Sequence, residues 1–215
     1  MPAPRDLTVR GLAALVAGPL VLGGCSGGSA PRPADPGAAA SAPVPGVTLP
    51  ADALVDLVPR PDEVPAGLVP VISGSGPRDL ATVAGYSGTG PTAKAAAAKL
   101  RAHGFTRAYV AQYANPATGQ VMSIVVSRFT SAAGAAADFA DDQSGAQGKK
   151  VVTPVLGDGS SVTVQGIQGS VASQLVLVRF RRGTATWSLA YKASPTADPT
   201  VATALAAALL RRTSA

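Results

Sequence analysis

From residue 90 onward the apolar positions follow two periods, and the change between them marks the elements. Gly90-Pro91-Thr92 opens a helix running to His103, in which Ala93, Ala96, Ala97 and Leu100 recur on one stripe. Pro91 suits a first turn, and alanine is the strongest helix former. Gly104 is placed to stop this helix, with Phe105 folding back as the hydrophobic contact. From Phe105 to Tyr113 the pattern becomes alternating. It puts Phe105, Tyr109 and Tyr113 on one strand face and Thr106 and Gln112 on the other. Asn115 to Gly119 reads as a hairpin loop, and Gln120 to Phe129 as the return strand. Thr130 or Ser131 caps a second helix, with Ala132, Ala135, Ala136 and Phe139 on its buried face. That helix frays out over Asp141 to Gly145. Three more strands are expected at about 161–168, 171–181 and 184–192, with Arg182-Gly183 as the tight turn between the last two. Asp198-Pro199 is a cap followed by proline in the first turn. Val201, Ala204, Leu205, Ala208 and Leu209 form the expected stripe of the last helix, and Arg211 and Arg212 sit at its negative end.

Ahead of residue 90 the periods are lost. Asp56 to Leu68 is studded with proline and cannot form a long helix. It reads as an extended lead-in that packs Leu57, Val58, Val64 and Leu68 onto the domain. Residues 74–77 are a turn. Residues 79–86 read as a short strand or an irregular segment. Helices and antiparallel hairpins in this order predict an α+β domain, a mostly antiparallel sheet with helices packed on one face. No fixed-period repeat is visible, and residues 51–213 have the length of a single domain.

The first fifty residues have a different character. Arg5 and Arg10, partly offset by Asp6, precede an uncharged and mostly apolar run from Gly11 to Gly24. This is the layout of a secretory signal peptide over residues 1–24, too short for a comfortable membrane span. Leu22-Gly23-Gly24-Cys25 resembles the lipobox of bacterial lipoproteins. The resemblance implies cleavage before Cys25 and a thioether-linked diacylglycerol on its sulfur. It also implies a chain anchored on the extracytoplasmic face of the cell membrane. Cys25 is the only cysteine, so it has no intrachain disulfide partner. Residues 25–50 are rich in Ser, Gly, Ala and Pro and bury too little apolar surface to fold, so they read as a flexible tether.

The formal charge of +6 changes this picture little. Beside a membrane it admits an anionic lipid or a wall polymer as partner, but a slight arginine surplus on an ordinary domain describes it better. Nucleic acid is an improbable partner for an exported chain with no basic run interleaved with aromatics. An envelope protein is a further possible partner. The Ala, Val, Gly, Pro and Arg bias resembles that of high-GC genomes. Gly104-Phe105, Arg128-Phe129-Thr130-Ser131, Leu156-Gly157-Asp158 and Arg179-Phe180-Arg181-Arg182-Gly183 are turn and cap motifs. In this order they resemble exported actinobacterial lipoproteins of unknown or binding function, some with a PsbP-like fold.

Catalytic chemistry is sparse. His103 is the sole histidine, which excludes a histidine-based metal site, and its place before Gly104 reads as helix capping. No Gly-x-Ser-x-Gly elbow supplies a nucleophile. Asp138, Asp141 and Asp142 cluster at one helix end and read as a solvated acidic patch rather than as metal ligands. Leu156 to Ser161 reads as a turn, because it lacks the phosphate-loop pattern. No catalytic residue, metal or cofactor is assigned. The strongest ligand-binding candidates are Arg179 and Arg181, which share a strand face, whereas Arg182 points oppositely. Arginines beside rings hold phosphate or carboxylate heads by forked and stacked contacts. Trp187 reads as core. The expected function is a membrane-tethered, non-enzymatic binding domain for a lipid, a wall component or a partner protein. A structural accessory protein of a membrane complex is the alternative, and an envelope hydrolase a distant third.

Overall fold

The computed structural model describes residues 48–213 other than 170. The leader, Cys25 and nearly all of the tether lie outside the described residues. The chain runs β1 (Val69–Pro70), β2 (Gly76–Arg78), α1 (Leu80–Gly85), α2 (Pro91–Ala102), β3 (Phe105–Ala114), β4 (Val121–Phe129), α3 (Ala132–Ser144) and β5 (Lys149–Val151). It continues through β6 (Gly159–Ile167), β7 (Ser173–Arg182), β8 (Ala185–Ala193) and α4 (Pro199–Arg212). The eight strands form one antiparallel sheet in the order β1-β3-β4-β8-β7-β6-β5, with β2 also paired to β3. The α+β class and the antiparallel sheet are those the pattern predicts. Among the described residues no helix is long and apolar enough to cross a membrane.

The helices, however, divide between the two faces of the sheet instead of sharing one. The first face carries Tyr109, Tyr113, Met122, Ile124, Val126, Val178, Phe180, Trp187 and Leu189 and holds most of the core. Here α4 covers β7 and β8 with Ala202, Leu205, Ala206, Leu209 and Leu210. The buried stripe of α4 is therefore rotated from the expected one, and Ala204 is exposed. The proline-rich lead-in covers the rest of this face through Leu49, Leu54, Val58, Val64 and Leu68. Proline lacks an N–H, so the lead-in cannot run as a ladder strand. Sheet side chains satisfy its carbonyls instead. Tyr109 donates to Pro50 O (2.7 Å), Tyr113 to Pro59 O and Trp187 Nε1 to Leu57 O (2.9 Å). Arg212, at the end of α4, completes the strap by donating to both Glu63 oxygens (2.9 and 2.8 Å) and to Val58 O (2.6 Å). Trp187 is core as expected, stacked on Phe180 with centroids 5.0 Å apart.

The opposite face carries α1, α2 and α3. Asp79 caps α1 by accepting from Thr82 N, so residues 80–85 form a short helix where a strand or irregular segment was expected. α2 follows the expected bounds, with His103 as its C-cap residue, and Ser131 rather than Thr130 caps α3. One alternation is overturned. A bulge between Phe105 and Arg107 shifts β3 by one residue. Phe105 thereby joins Ala108, Val110 and Val125 on the helix-covered face, opposite to Tyr109 and Tyr113.

Candidate functional site

The strand registers put small polar residues on the helix-covered face. One cross-strand row runs Val110, Val125, Ser188, Arg179, Ser161. The next runs Ala108, Ser127, Thr186, Arg181, Gly159. Alternation produces this pattern directly: Ser123, Ser127, Thr186 and Ser188 interleave with large apolar residues that point into the core on the other side. Helices α2 and α3 do not close over these rows. Between them lies a cavity of about 220 Å³. Its floor is Ser127, Thr186, Ser188 and Arg179, and its walls include Val83, Ala96, Leu100, His103, Asp138, Phe139 and Asp142.

Arg179 is the central group. It is 4 % exposed, and its Nε stands 3.6 Å from Asp142 Oδ2, beyond good hydrogen-bond length. Its Nε and Nη1 have no hydrogen-bond partner. The hydroxyls of Ser188 and Ser161, its neighbours on either side in the row, lack partners too. The protein therefore presents three adjacent groups of unmet hydrogen-bonding capacity, which is costly without a ligand or solvent to answer it. His103 Nδ1, on the α2 wall, is likewise without a partner.

The α3 wall is acidic. Asp138 is half-buried and accepts from Thr186 Oγ1 (3.4 Å). Desolvation is the main cause, with neighbouring Asp142 second, that pushes its carboxyl up to about 7. The surrounding protein also raises the Asp142 carboxyl, opposed by the Arg179 guanidinium. Its side chain is 48 % accessible, so solvent tempers that rise. Asp141 turns outward to Lys99 Nζ at 3.0 Å, linking α3 to α2 across the mouth. The acidic cluster is thus not simply a solvated patch, since Asp138, Asp141 and Asp142 all line the cavity, Asp141 at its mouth. The signal was present in the sequence, because Asp138 and Asp142 continue the stripe of Ala135 and Phe139 at helical spacing. Among the described residues, no group of three or more His, Cys, Asp and Glu side chains is placed to hold a metal ion.

The two arginines singled out from the sequence share the sheet face, as their spacing requires, but only Arg179 reaches the cavity. Arg181 lies one row away, with Nη1 3.7 Å from Asp158 Oδ2. Asp158 also accepts from Gly183 N (2.7 Å), so the bend at residues 156–158 is tied to the β7–β8 turn, whereas residues 159–161, expected as part of a turn, open β6. Arg182 points to the other face and donates weakly to Leu210 O (3.5 Å). Cys25 lies outside the described residues. The contributions of Ser188, Ser161 and Thr186 escaped sequence reading, because isolated hydroxyls on strands carry no motif.

No family model matches the chain, and no curated protein matches it. Among solved structures, the extracellular domain of PknH from Mycobacterium tuberculosis has a similar fold. The TM-score is 0.54 at 12 % identity, over 79 % of this chain and 99 % of that one.

Proposed function

We propose that this chain is a lipid-anchored protein of the extracytoplasmic membrane face whose domain binds a ligand in the cavity between α2 and α3, without catalysing a reaction. The observation that carries the binding role is Arg179. It is a buried cation at the floor of a cavity whose walls combine apolar side chains with the α3 carboxylates, beside two unanswered hydroxyls. A concave apolar space with a few convergent polar groups is the usual form of a ligand site. The extracytoplasmic location is supported by the lipobox at Cys25 and agrees with the fold shared with an extracellular domain. Ligands from this setting include a lipid, a wall fragment or a small envelope molecule. The accessory-protein reading calls for a broad exposed apolar patch. Among the described residues the large exposed apolar side chains are scattered: Val69 and Ile72 lie at and just after β1, Val152 and Val155 follow β5 at the opposite end of the strand order, and Val171 lies in the β6–β7 turn.

The hydrolase reading has one observation in its favour, the two cavity-facing carboxylates with raised proton affinity. They stand four residues apart on one helix and therefore on one wall. Acid–base cleavage of a glycosidic bond needs carboxylates flanking it from two sides. Binding is therefore the reading that uses all the groups present.

Two experiments test this proposal. Cys25→Ala removes the anchor and should release the protein from the membrane fraction with its fold intact; full retention would refute the lipid anchor. Ala96→Trp fills the cavity from the α2 wall. Protein purified from its native membranes, extracted with solvent and analysed by mass spectrometry, should yield a discrete compound that the Ala96→Trp protein lacks. The same compounds at the same yield from both would refute the cavity as the binding place.

A further inference from the structure

We infer that the cavity takes a small monocarboxylate with a short apolar chain, its head on Arg179 and Ser188 and its chain between α2 and α3. This rests on the cavity reading above and names the ligand class. Arg179 Nε and Nη1 and the Ser188 hydroxyl are buried donors without acceptors. Oxyanion oxygens answer all of them with charge-assisted bonds, which an alcohol or amide does less well.

Charge decides between anions. On the cationic side, Arg179 is only loosely engaged by Asp142 at 3.6 Å, whereas Lys99 is held by Asp141 at 3.0 Å. On the anionic side, Asp142 and Asp138 face the same space from α3. Arg179 is shared between the loosely held Asp142 and the ligand, so a single negative charge is the most the site takes. A doubly charged phosphate monoester would face both carboxylates, and a cation would face the guanidinium. Size decides the rest. At roughly 30 Å³ per water, 220 Å³ holds about seven waters. That accommodates a head and a short chain, and a longer chain would have to leave through the open mouth. The walls suit such a chain, since Val83, Ala96, Leu100, Val125 and Phe139 are apolar.

The site also has a built-in pH response. The groups around Asp138 are Asp141 and Asp142 on its own helix, Lys99 and His103 on α2, Tyr86 at the end of α1, Arg179 on β7 and Thr186 on β8. As Asp138 loses its proton near neutral pH, a second negative charge appears beside the head and weakens its hold.

The test is calorimetric titration of the full-length chain, carrying Cys25→Ala to keep it unacylated, with sodium octanoate and with 1-octanol. At pH 6 octanoate should bind at least tenfold more tightly than octanol. Arg179→Gln should weaken octanoate at least tenfold and leave octanol unchanged, and Arg179→Lys should restore part of the loss. Ser188→Ala removes a hydroxyl that has no partner in the fold. It should weaken octanoate several-fold, and it keeps the test open if Arg179→Gln misfolds. Raising the pH to 8 should weaken octanoate several-fold in the parent but not in Asp138→Asn. Equal affinity for the two probes, or octanoate binding indifferent to both Arg179→Gln and Ser188→Ala, overturns the carboxylate head while leaving an apolar cavity site. Binding of neither probe overturns the inference, and the Ala96→Trp comparison then decides separately whether the cavity reading falls with it.

Discussion

At the scale of single residues, the cavity face is where polar groups are held under strain of solvation, and Asp138 makes this measurable. Its carboxyl is raised from 3.8 to about 7, mainly by desolvation. The folded chain therefore keeps a proton that the unfolded chain has released. The stability this group confers is complete below about pH 4, declines as pH rises and is lost above about 7. Asp138→Asn should flatten that slope and, at pH 8, raise folding stability by roughly 1–3 kcal/mol. Denaturant titrations at pH 5 and 8 check it; an unchanged pH dependence would mean that Asp138 is solvated. Asp79 and Asp198 act in the opposite sense. Their carboxyls are lowered mainly by the hydrogen bonds they accept from Thr82 and Thr200, so their contribution is lost on acidification. Residue identity alone reveals little of this. Arg179 and Arg181 look equivalent in the sequence, two positions apart on one strand. What separates them is the placement of α3, which buries the first and leaves the second at the sheet's rim beside Asp158.

At the scale of elements, most of the chain was legible because its signals are local. The Gly104 stop, the Ser131 and Asp198 caps and the Asn115–Gly119 loop fall where turn and cap chemistry places them, and the tight turn expected at Arg182-Gly183 lies one residue on, at Gly183-Thr184. The failures have physical causes. A bulge after Phe105 shifts a register that alternation assumes to be continuous. The assignment of α4 to the face opposite α1–α3 depends on which strands meet, which no local period encodes. The junction between α2 and α3 is tighter than propensity suggests. Gly104 takes φ +74° and its carbonyl accepts from Thr130 N at 2.9 Å. Gly134, in the first turns of α3, lies so close to His103 O that an added Cβ would strike that carbonyl. In an open helix, glycine to alanine gains roughly 1 kcal/mol. Here Gly134→Ala should instead cost about 1–3 kcal/mol, because the α2 backbone has to give way. Thermal unfolding checks the sign, and a stabilised Gly134→Ala protein would show that the helices can part freely.

At the scale of the whole molecule, the two faces of the sheet do different work. One is sealed by α4 and by a lead-in whose carbonyls are tied to Tyr109, Tyr113, Trp187 and Arg212. The other keeps an unfilled space over Arg179, Ser188 and Thr186. A domain that sealed both faces would be the simpler fold, so the open face is the one to which function is assigned. The lipid anchor and tether proposed from the sequence would set that face among the contents of the envelope. The measurement that tests this assignment most directly is an NMR titration of the isotope-labelled protein with a solvent extract of its native envelope. Perturbed amides at Arg179, Thr186 and Ser188 and along the facing sides of α2 and α3, with residues 152–156 and 171 unchanged, is the predicted result. Perturbation at residues 152–156 or 171, with none at Arg179 and Ser188, would contradict it and move the working surface to the exposed valines.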